Sequence, residues 1–165
     1  MPSIRITKEC NDSIYFITLT VKNWYYIFDR HNRFDILTQA IIYCQKNKGL
    51  KVYAYVFMLN HIHLIIQSPD TAGFMRDFKK HTSYELIKNI RATEPNAASL
   101  FEAENNKYTI WQKTNFPKLI ESADYFWQKK QYIENNPVRK EYVSAPEHWV
   151  HSSAFKPNPI NIENP

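Results

Sequence analysis

The alternation of hydrophobic and polar positions predicts three β-strands in the first part of the chain. Segments 14–21, 51–58 and 61–67 are rich in β-branched and aromatic residues, which favour extended structure. Only a few residues separate the second segment from the third, so we expect these two strands to form an antiparallel hairpin. Between the first two strands, apolar residues at helical spacing predict a helix that Asn32 caps and Gly49 ends.

A second helix is predicted after the hairpin. Apolar residues recur every three or four positions from Thr71 to about Arg91, and basic residues occupy the other faces of this amphipathic pattern. The polar stretch 92–107 contains a proline and is expected to be a loop. A short strand or extended piece is expected within residues 108–120.

The last helix has a marked start and a marked end. Ser122 is placed to cap it. Pro137 is expected to end it at Asn136, because proline lacks an amide donor and disfavours helical geometry in the residue before it. From about residue 144 onward the tail contains several prolines and should be extended or irregular.

The predicted order of elements is β-α-β-β-α-β-α. This order favours an α+β fold in which helices pack on an antiparallel sheet, the ferredoxin-like arrangement. A chain of 165 residues is about the size of one domain, since hydrophobic cores usually grow to about 100–200 residues before they split. We therefore expect residues 1–165 to form a single domain with the extended tail at its end.

Composition limits the binding partners and the cellular compartment that we expect for this protein. The chain has 21 Lys and Arg against 16 Asp and Glu, a net charge of +5, which favours a polyanionic partner such as nucleic acid. Cys10 and Cys44 lie far apart, and neither belongs to a CxxC pair, so we expect neither a disulfide nor a thiolate metal site. No signal-peptide pattern opens the chain, and no apolar run approaches the roughly 20 residues of a membrane span. We expect a cytoplasmic protein without a membrane partner.

The third strand contains two histidines in an apolar run, "LNHIHLII". Because side chains alternate across a strand, His61 and His63 share one face. Two imidazoles on one face can converge on a divalent cation such as magnesium, manganese or zinc, with oxygen ligands completing the shell. On spacing alone, two partly exposed structural histidines are the simpler interpretation.

The last helix presents a polar stripe. Gln128, Tyr132 and Asn136 are spaced by four residues and so lie on one face. A phenol can attack phosphorus when a cation neutralises the phosphate, and the amide of Asn136 or Gln128 could complete a metal shell begun by the histidines. Lys129 lies near the same face and could help to neutralise phosphate. Tyr132 could equally be a core aromatic whose hydroxyl finds one partner.

Basic residues on the second helix are candidates for contacts with DNA phosphates. Arg76, Lys79 and Lys80 lead this set, although Asp77 and Glu85 interrupt the positive pattern, and a solvated helix face remains open as an interpretation. In the second strand, alternation places Tyr53, Tyr55 and Phe57 on one face. If exposed, these rings could stack unpaired bases, which would make the chain a non-catalytic single-stranded nucleic-acid-binding module of the ferredoxin-like class.

Four segments together resemble a known family over nearly the whole chain: "YVFMLNHIHLII", "FKKHTSYELI", "WQKTNFPKLIESADYFWQKKQYIENNPVRKEYV" and "WVHSSAF". The first resembles the HUH motif, histidine-hydrophobic-histidine, of the single-tyrosine transposases of insertion sequences. The tyrosine followed by isoleucine, two residues and "NPV" is similar to their REP-associated relatives. The chain departs from the usual pattern at Leu59, where family members carry proline.

The resemblance implies an HUH endonuclease fold and a metal-dependent nuclease and strand transferase that cleaves single-stranded DNA beside hairpins. His61 and His63 match the metal ligands of the family, Tyr132 matches its nucleophile, and Asn136 matches a polar residue that can serve as a third ligand, with Mg²⁺ or Mn²⁺ as the cation. The tyrosine would form a 5′-phosphotyrosine intermediate. Members act as monomers or homodimers, and a replication-initiator or relaxase nuclease with the same histidine pair is a further alternative.

Overall fold

The computed structural model describes residues 11–165. Its strands and helices are, in chain order, β1 (Ile14–Thr20), α1 (Arg33–Asn47), β2 (Lys51–Phe57), β3 (His61–Gln67), α2 (Thr71–Thr93), β4 (Glu102–Ala103), β5 (Lys107–Tyr108), β6 (Lys118–Leu119) and α3 (Ala123–Arg139). Cys10 lies outside this range, so the predicted absence of a disulfide with Cys44 stays a prediction. Among the helices of residues 11–165, none is long and apolar enough to cross a membrane.

The main sheet has four strands in the order β2-β3-β1-β6, and every neighbouring pair is antiparallel. This topology confirms the predicted α+β, ferredoxin-like fold. The predicted hairpin of β2 and β3 is also confirmed, and β1 pairs with β3 along its whole length, from Ile14 opposite Gln67 to Thr20 opposite His61. The small strands β4 and β5 form a separate hairpin.

The two faces of the sheet carry two hydrophobic clusters. The larger lies between the sheet and helices α1 and α2, and it includes Ile62, Leu64 and Ile66 of β3. The smaller lies under α3 and includes Ile65 of β3 and Ile133 of the helix. Because side chains alternate along β3, the residues between the buried aliphatic positions point to the α3 side. His61 and His63 therefore face α3, as the alternation predicted.

Strand β2 departs from strict alternation. A register shift between Val52 and Ala54 makes Tyr53 share the α3 face with Ala54, whereas Tyr55 and Phe57 face α1 and α2. The prediction that Tyr53, Tyr55 and Phe57 share one face was therefore wrong. A β-bulge leaves no mark in the hydrophobic pattern when every residue of the strand is apolar or aromatic.

Three further predictions about local structure differ from what the structure shows. Asn32 precedes α1 in a left-handed conformation, and its side chain makes no capping hydrogen bond, whereas Gly49 is left-handed as predicted. The predicted loop 92–107 instead contains a 3₁₀ helix, Pro95–Phe101, and the β4–β5 hairpin. Pro137 does not end α3 but lies inside its last turn. Ser122 caps α3 as predicted, because its hydroxyl accepts a hydrogen bond from the amide of Tyr125.

The tail is irregular, as predicted, and it packs along the free edge of β2. The amide of Phe57 donates to the carbonyl of His151, the amide of Ser153 donates to Tyr55, and the amide of Glu163 donates to Val52. An uncovered edge strand offers unpaired backbone groups to other chains. The tail therefore satisfies part of the β2 edge within the same molecule.

A buried cation joins α1 to the end of α2. Arg33 is only 1% exposed, and its guanidinium lies 2.6 Å from the carboxylate of Glu94. It also donates to the side chain of Asn89 and to the carbonyl of Ile27, at 2.9 and 3.0 Å. Removing one partner of a buried ion pair costs about 3–5 kcal/mol, because the remaining polar groups lose their partners.

We predict that Arg33→Met lowers the free energy of unfolding by about 3 kcal/mol, measured by urea denaturation. Arg76→Met is the matched control, because Arg76 forms a wholly exposed pair with Asp77. The control should leave the denaturation midpoint unchanged. Equal effects of the two substitutions would contradict a structural role for the buried guanidinium.

Candidate active site

A cleft of about 360 Å³ opens where α3 crosses the ends of β1 and β3. The strands contribute one wall, the 3₁₀ turn after β1 contributes the rim, and the last two turns of α3 contribute the opposite wall. The residues that line the cleft are Thr18, Thr20, Trp24, His61, His63, Tyr132, Asn136, Arg139 and Lys140. None of these lining residues is acidic.

The two imidazoles lie side by side in the cleft, with ring centroids 4.9 Å apart. Burial, with a smaller contribution from the charge of Lys140, lowers the pKa of His61 to about 4. Burial, together with His61 and Lys129, lowers the pKa of His63 to about 3. Both rings are therefore neutral at physiological pH, and the neutral imidazole is the form that binds a metal ion.

Asn60 fixes the tautomer of His61. The Asn60 amide nitrogen donates to the carbonyl of Trp24 at 3.0 Å, which turns its oxygen, Oδ1, toward the imidazole. That oxygen lies 2.8 Å from Nδ1 of His61 and can only accept, so Nδ1 carries the proton. The lone pair is left on Nε2. Proteins usually orient a metal-binding histidine through a hydrogen bond from its second ring nitrogen to another polar group.

His63 has a comparable partner on the neighbouring strand. Thr18 lies directly opposite His63 in the β1–β3 pairing, and its hydroxyl is 2.8 Å from Nδ1 of His63. The ring of Phe16 stacks on the same imidazole, with centroids 5.4 Å apart. These contacts hold His63 in place and leave Nε2 as its free nitrogen. Neither Asn60 nor Thr18 was singled out from the sequence.

Tyr132 lies against the histidine pair. Its ring centroid is 5.4 Å from that of His63, in an edge-on arrangement, and 6.1 Å from that of Phe16. The helix is oriented by Phe126 and Ile133, which are buried under α3, so that the half-buried phenol projects along the floor of the cleft. The predicted meeting of the phenol and the two imidazoles is therefore seen in this structure.

Asn136 is buried and lines the cleft one turn beyond Tyr132. Its side-chain amide makes no hydrogen bond with any residue in the 11–165 range, so its oxygen is free to act as a ligand. Gln128, the alternative ligand, is exposed and is not among the cleft residues. The donor set that the chain offers is two neutral imidazoles and one carboxamide, a mixture of nitrogen and oxygen that could hold a divalent cation.

Two cations flank the phenol ring. The ammonium of Lys129 is 5.3 Å from the centre of the Tyr132 ring, and the guanidinium carbon of Arg139 is 5.2 Å from it. Burial, with a contribution from Lys118, lowers the pKa of Lys129. Arg139 and Lys140 were missed in the sequence because Pro137 was expected to end the helix. Their spacing of seven and eight residues from Tyr132 would have placed them on its face if the helix had been continued.

The sequence matches a family described as "Transposase IS200 like" over residues 9–136. The chain belongs to the IS200-like transposase family. Membership makes it a DNA-processing enzyme of the transposase class.

Three individual proteins are similar to this chain. The fold of this IS200-like transposase is similar to that of a REP-associated tyrosine transposase solved bound to a REP hairpin, with a TM-score of 0.69 and 22% identity over 93% of this chain and 82% of that one. A putative transposase from Deinococcus radiodurans gives a TM-score of 0.44 and 19% identity over 74% and 88% of the two chains. An uncharacterised Haemophilus influenzae protein is 21% identical over 147 residues, which cover 78% of this chain and 82% of that protein.

The predicted DNA-binding residues of α2 lie on the other side of the sheet from the cleft, because α2 packs on the larger cluster. Arg76 is exposed and paired with Asp77. Lys79 is half-buried, and its ammonium donates to the carbonyl of Gln112 and the side chain of Asn115, at 2.8 and 2.9 Å. Its donors are therefore used within the protein, which disfavours the predicted phosphate contact from Lys79. Lys79 and Lys80 both line an open groove on this side of the sheet, whereas Arg76 does not.

The alternative of a base-stacking sheet is contradicted. In this transposase Tyr55 and Phe57 are fully buried under α1 and α2, and Tyr53 is buried under α3. A four-stranded sheet with helices on both faces has no free surface for bases.

We predict that Asn60→Ala allows His61 to populate both of its neutral tautomers. In the wild-type protein, nitrogen NMR should show Nδ1 protonated and Nε2 unprotonated at His61, and the variant should show a mixture of the two forms, because the acceptor at Nδ1 is gone. Asn135→Ala is the matched control, since Asn135 is an exposed amide on α3 that bonds only its own helix. A single unchanged tautomer in Asn60→Ala would contradict this role.

Proposed function

We propose that this protein is a divalent-cation-dependent single-stranded DNA endonuclease and strand transferase that cleaves beside DNA hairpins through a 5′-phosphotyrosine intermediate. One observation carries the proposal: Tyr132, His61 and His63 line the same cleft, with the phenol ring 5.4 Å from the nearer imidazole. A tyrosine, two neutral histidines and several cations in one cleft match the needs of phosphoryl transfer to a side chain.

The proposed reaction exchanges one phosphodiester for another. Oη of Tyr132 loses its proton to water and forms a bond to phosphorus, the bond from phosphorus to the 3′-oxygen breaks, and the leaving 3′-oxygen takes up a proton from water to become a 3′-hydroxyl. The DNA 5′-phosphate is then joined to the tyrosine. Attack by a 3′-hydroxyl on that bond reverses the chemistry and restores Tyr132. Bond energy is conserved throughout, so no nucleoside triphosphate is required.

The residues of the cleft have separate tasks in this proposal. Lys129 and Arg139, which flank the phenol, draw the phosphate toward Oη and offset its negative charge. His61, His63 and Asn136 would hold the cation, Mg²⁺ or Mn²⁺. When bound, the cation supplies a Lewis acid that polarises the phosphate oxygens. Phe16 and Thr18 keep His63 in position.

A hairpin substrate and a monomer follow from two different observations. The solved transposase with the same fold is bound to a REP hairpin. In this chain the tyrosine and both histidines come from one copy, so a monomer contains the full set of groups. We propose hairpin-bearing single-stranded DNA as the substrate and the monomer as the active form.

We predict that Tyr132→Phe abolishes the covalent adduct between protein and hairpin-bearing single-stranded DNA, because the attacking oxygen is removed. The adduct is detected as a shifted band on a denaturing gel in the presence of Mn²⁺. Tyr125→Phe is the matched control, because Tyr125 lies two turns earlier on α3 and also contacts Lys129. The control should keep the adduct. An adduct that survives in Tyr132→Phe and disappears in Tyr125→Phe would show that the nucleophile is misassigned.

We predict that His61→Ala and His63→Ala each weaken Mn²⁺ binding at least tenfold and remove cleavage, since each deletes one nitrogen ligand. Binding is measured by calorimetry with hairpin DNA present, in the Tyr132→Phe background so that the DNA stays intact. Asn136→Ala should weaken binding as well. His81→Ala, an exposed histidine on α2, is the control. Unchanged Mn²⁺ affinity in His61→Ala would refute the assigned ligand set.

A further inference from the structure

A basic groove of about 850 Å³ lies on the opposite side of the sheet from the cleft. It runs between α2 and the segment 108–111. Its floor is apolar, from Ile87 and Trp111, and its rim is positive. The cations that line it are Lys79, Lys80, Lys88 and Arg91, and none of the described residues along it is acidic.

The cations of the rim have little compensating negative charge, although Asp77 interacts electrostatically with Lys80. Lys80, Lys88 and Arg91 form no salt bridge with any described residue, whereas Arg76 on the same helix is paired. The guanidinium of Arg91 lies over the ring of Tyr108, 4.2 Å from its centre. Like charges held together without partners repel one another, so a negatively charged ligand would be bound favourably there.

These residues form a straight stripe along α2. Lys80, Tyr84, Lys88 and Arg91 follow one another at intervals of four, four and three residues, and so lie on one face over about 16 Å. Tyr84 is 66% exposed and stands between the first two cations. An alternation of cations with an exposed aromatic ring is the pattern that binds single strands, because phosphates meet the charges and an unpaired base stacks on the ring.

The groove and the cleft lie on the two sides of the end of β1. Thr20 lines the cleft, and its carbonyl accepts a hydrogen bond from Gln112 at 2.8 Å. The next residue, Val21, pairs with Trp111, which lines the groove. Only the end of one strand and the segment that pairs with it separate the two surfaces. A single strand that leaves the cleft can therefore reach the groove by passing around this edge.

We propose that this groove binds the unpaired DNA that flanks the hairpin, with Lys80, Lys88 and Arg91 on phosphates and Tyr84 under a base. The proposal rests on the proposed function, since it assumes that hairpin DNA occupies the cleft. Its role is distinct from that of the cleft, because no histidine lies among the lining residues to hold a cation beside the tyrosines, and the groove would hold substrate without cutting it.

The test compares two DNA ligands by fluorescence anisotropy without divalent ion, so that no cleavage occurs. One is the hairpin alone, and the other is the same hairpin with a single-stranded flank of about 16 nucleotides, the upper site size of small single-strand binders. We expect the flank to tighten binding by at least tenfold in the wild-type protein. Lys88→Gln with Arg91→Gln should remove most of that gain and lower the salt slope for the flanked ligand by about 1.4, or 0.7 for each lost phosphate contact.

Two further variants distinguish contacts made in the groove from a general loss of positive charge. Tyr84→Ala changes an exposed side chain and should weaken only the flanked ligand, by about tenfold. Lys46→Gln with Lys51→Gln removes the same charge from exposed positions outside the groove, and should leave the flank effect intact. The hairpin without a flank should bind all variants equally, and adduct formation on it in Mn²⁺ should be unchanged.

Three results would contradict the proposal that the groove binds the unpaired flank. These are no gain from the flank in the wild-type protein, a full gain in the Lys88 and Arg91 variant, or an equal loss for the hairpin without a flank, which would mean that the groove holds the duplex stem. Failure of the wild-type protein to form an adduct would contradict the proposed function instead. The binding comparison would still test whether the groove binds the flank, because it is made without cleavage.

Discussion

The two-residue periodicity of β3 is the constraint on which the site depends. Its aliphatic residues Ile62, Leu64 and Ile66 are fully buried against α1 and α2, so a slip of one residue in register would bring histidines into that core. The pairing with β1 on one side and β2 on the other excludes such a slip. The hydrophobic core therefore fixes the direction in which His61 and His63 point, and this direction is toward α3.

The same packing limits what the sequence could reveal. The β3 alternation, the hairpin and the polar stripe of α3 are local patterns, and in the structure Tyr132 and Asn136 line the same cleft as the histidines. Pro137 was misjudged because a local rule was applied where tertiary packing decides. Both Pro137 and Ile133 are buried, and beyond Pro137 the chain closes with a hydrogen bond from the amide of Tyr142 to the Pro137 carbonyl. The helix thus keeps its last turn, and with it Arg139 and Lys140.

Other parts of the site depend on distant contacts that no pattern along the chain records. Asn60 orients His61 only because the carbonyl of Trp24, from a turn far away in sequence, holds its amide nitrogen. Lys79 looked like a DNA contact because it belongs to a basic helix, but the segment 112–115 folds over it and uses its hydrogen-bond donors. In both cases the residue type was visible in the sequence and the partner was not. A charged residue on a helix therefore indicates a binding surface only when its hydrogen-bonding groups are not already used by other parts of the protein.

The charge balance of the cleft bears on the order in which its ligands would bind under the proposed function. The lining residues include Arg139 and Lys140, with Lys129 beside the phenol, and they include no carboxylate. A divalent cation that enters alone meets two neutral imidazoles and an amide, and it is repelled by the neighbouring positive charges. A DNA phosphate reverses this balance, because it satisfies the cations and offers anionic oxygens to the metal. Under the proposed function, the absence of a carboxylate among these lining residues would couple binding of the cation to binding of the substrate, and the phenol would face a polarised phosphate only when both are bound.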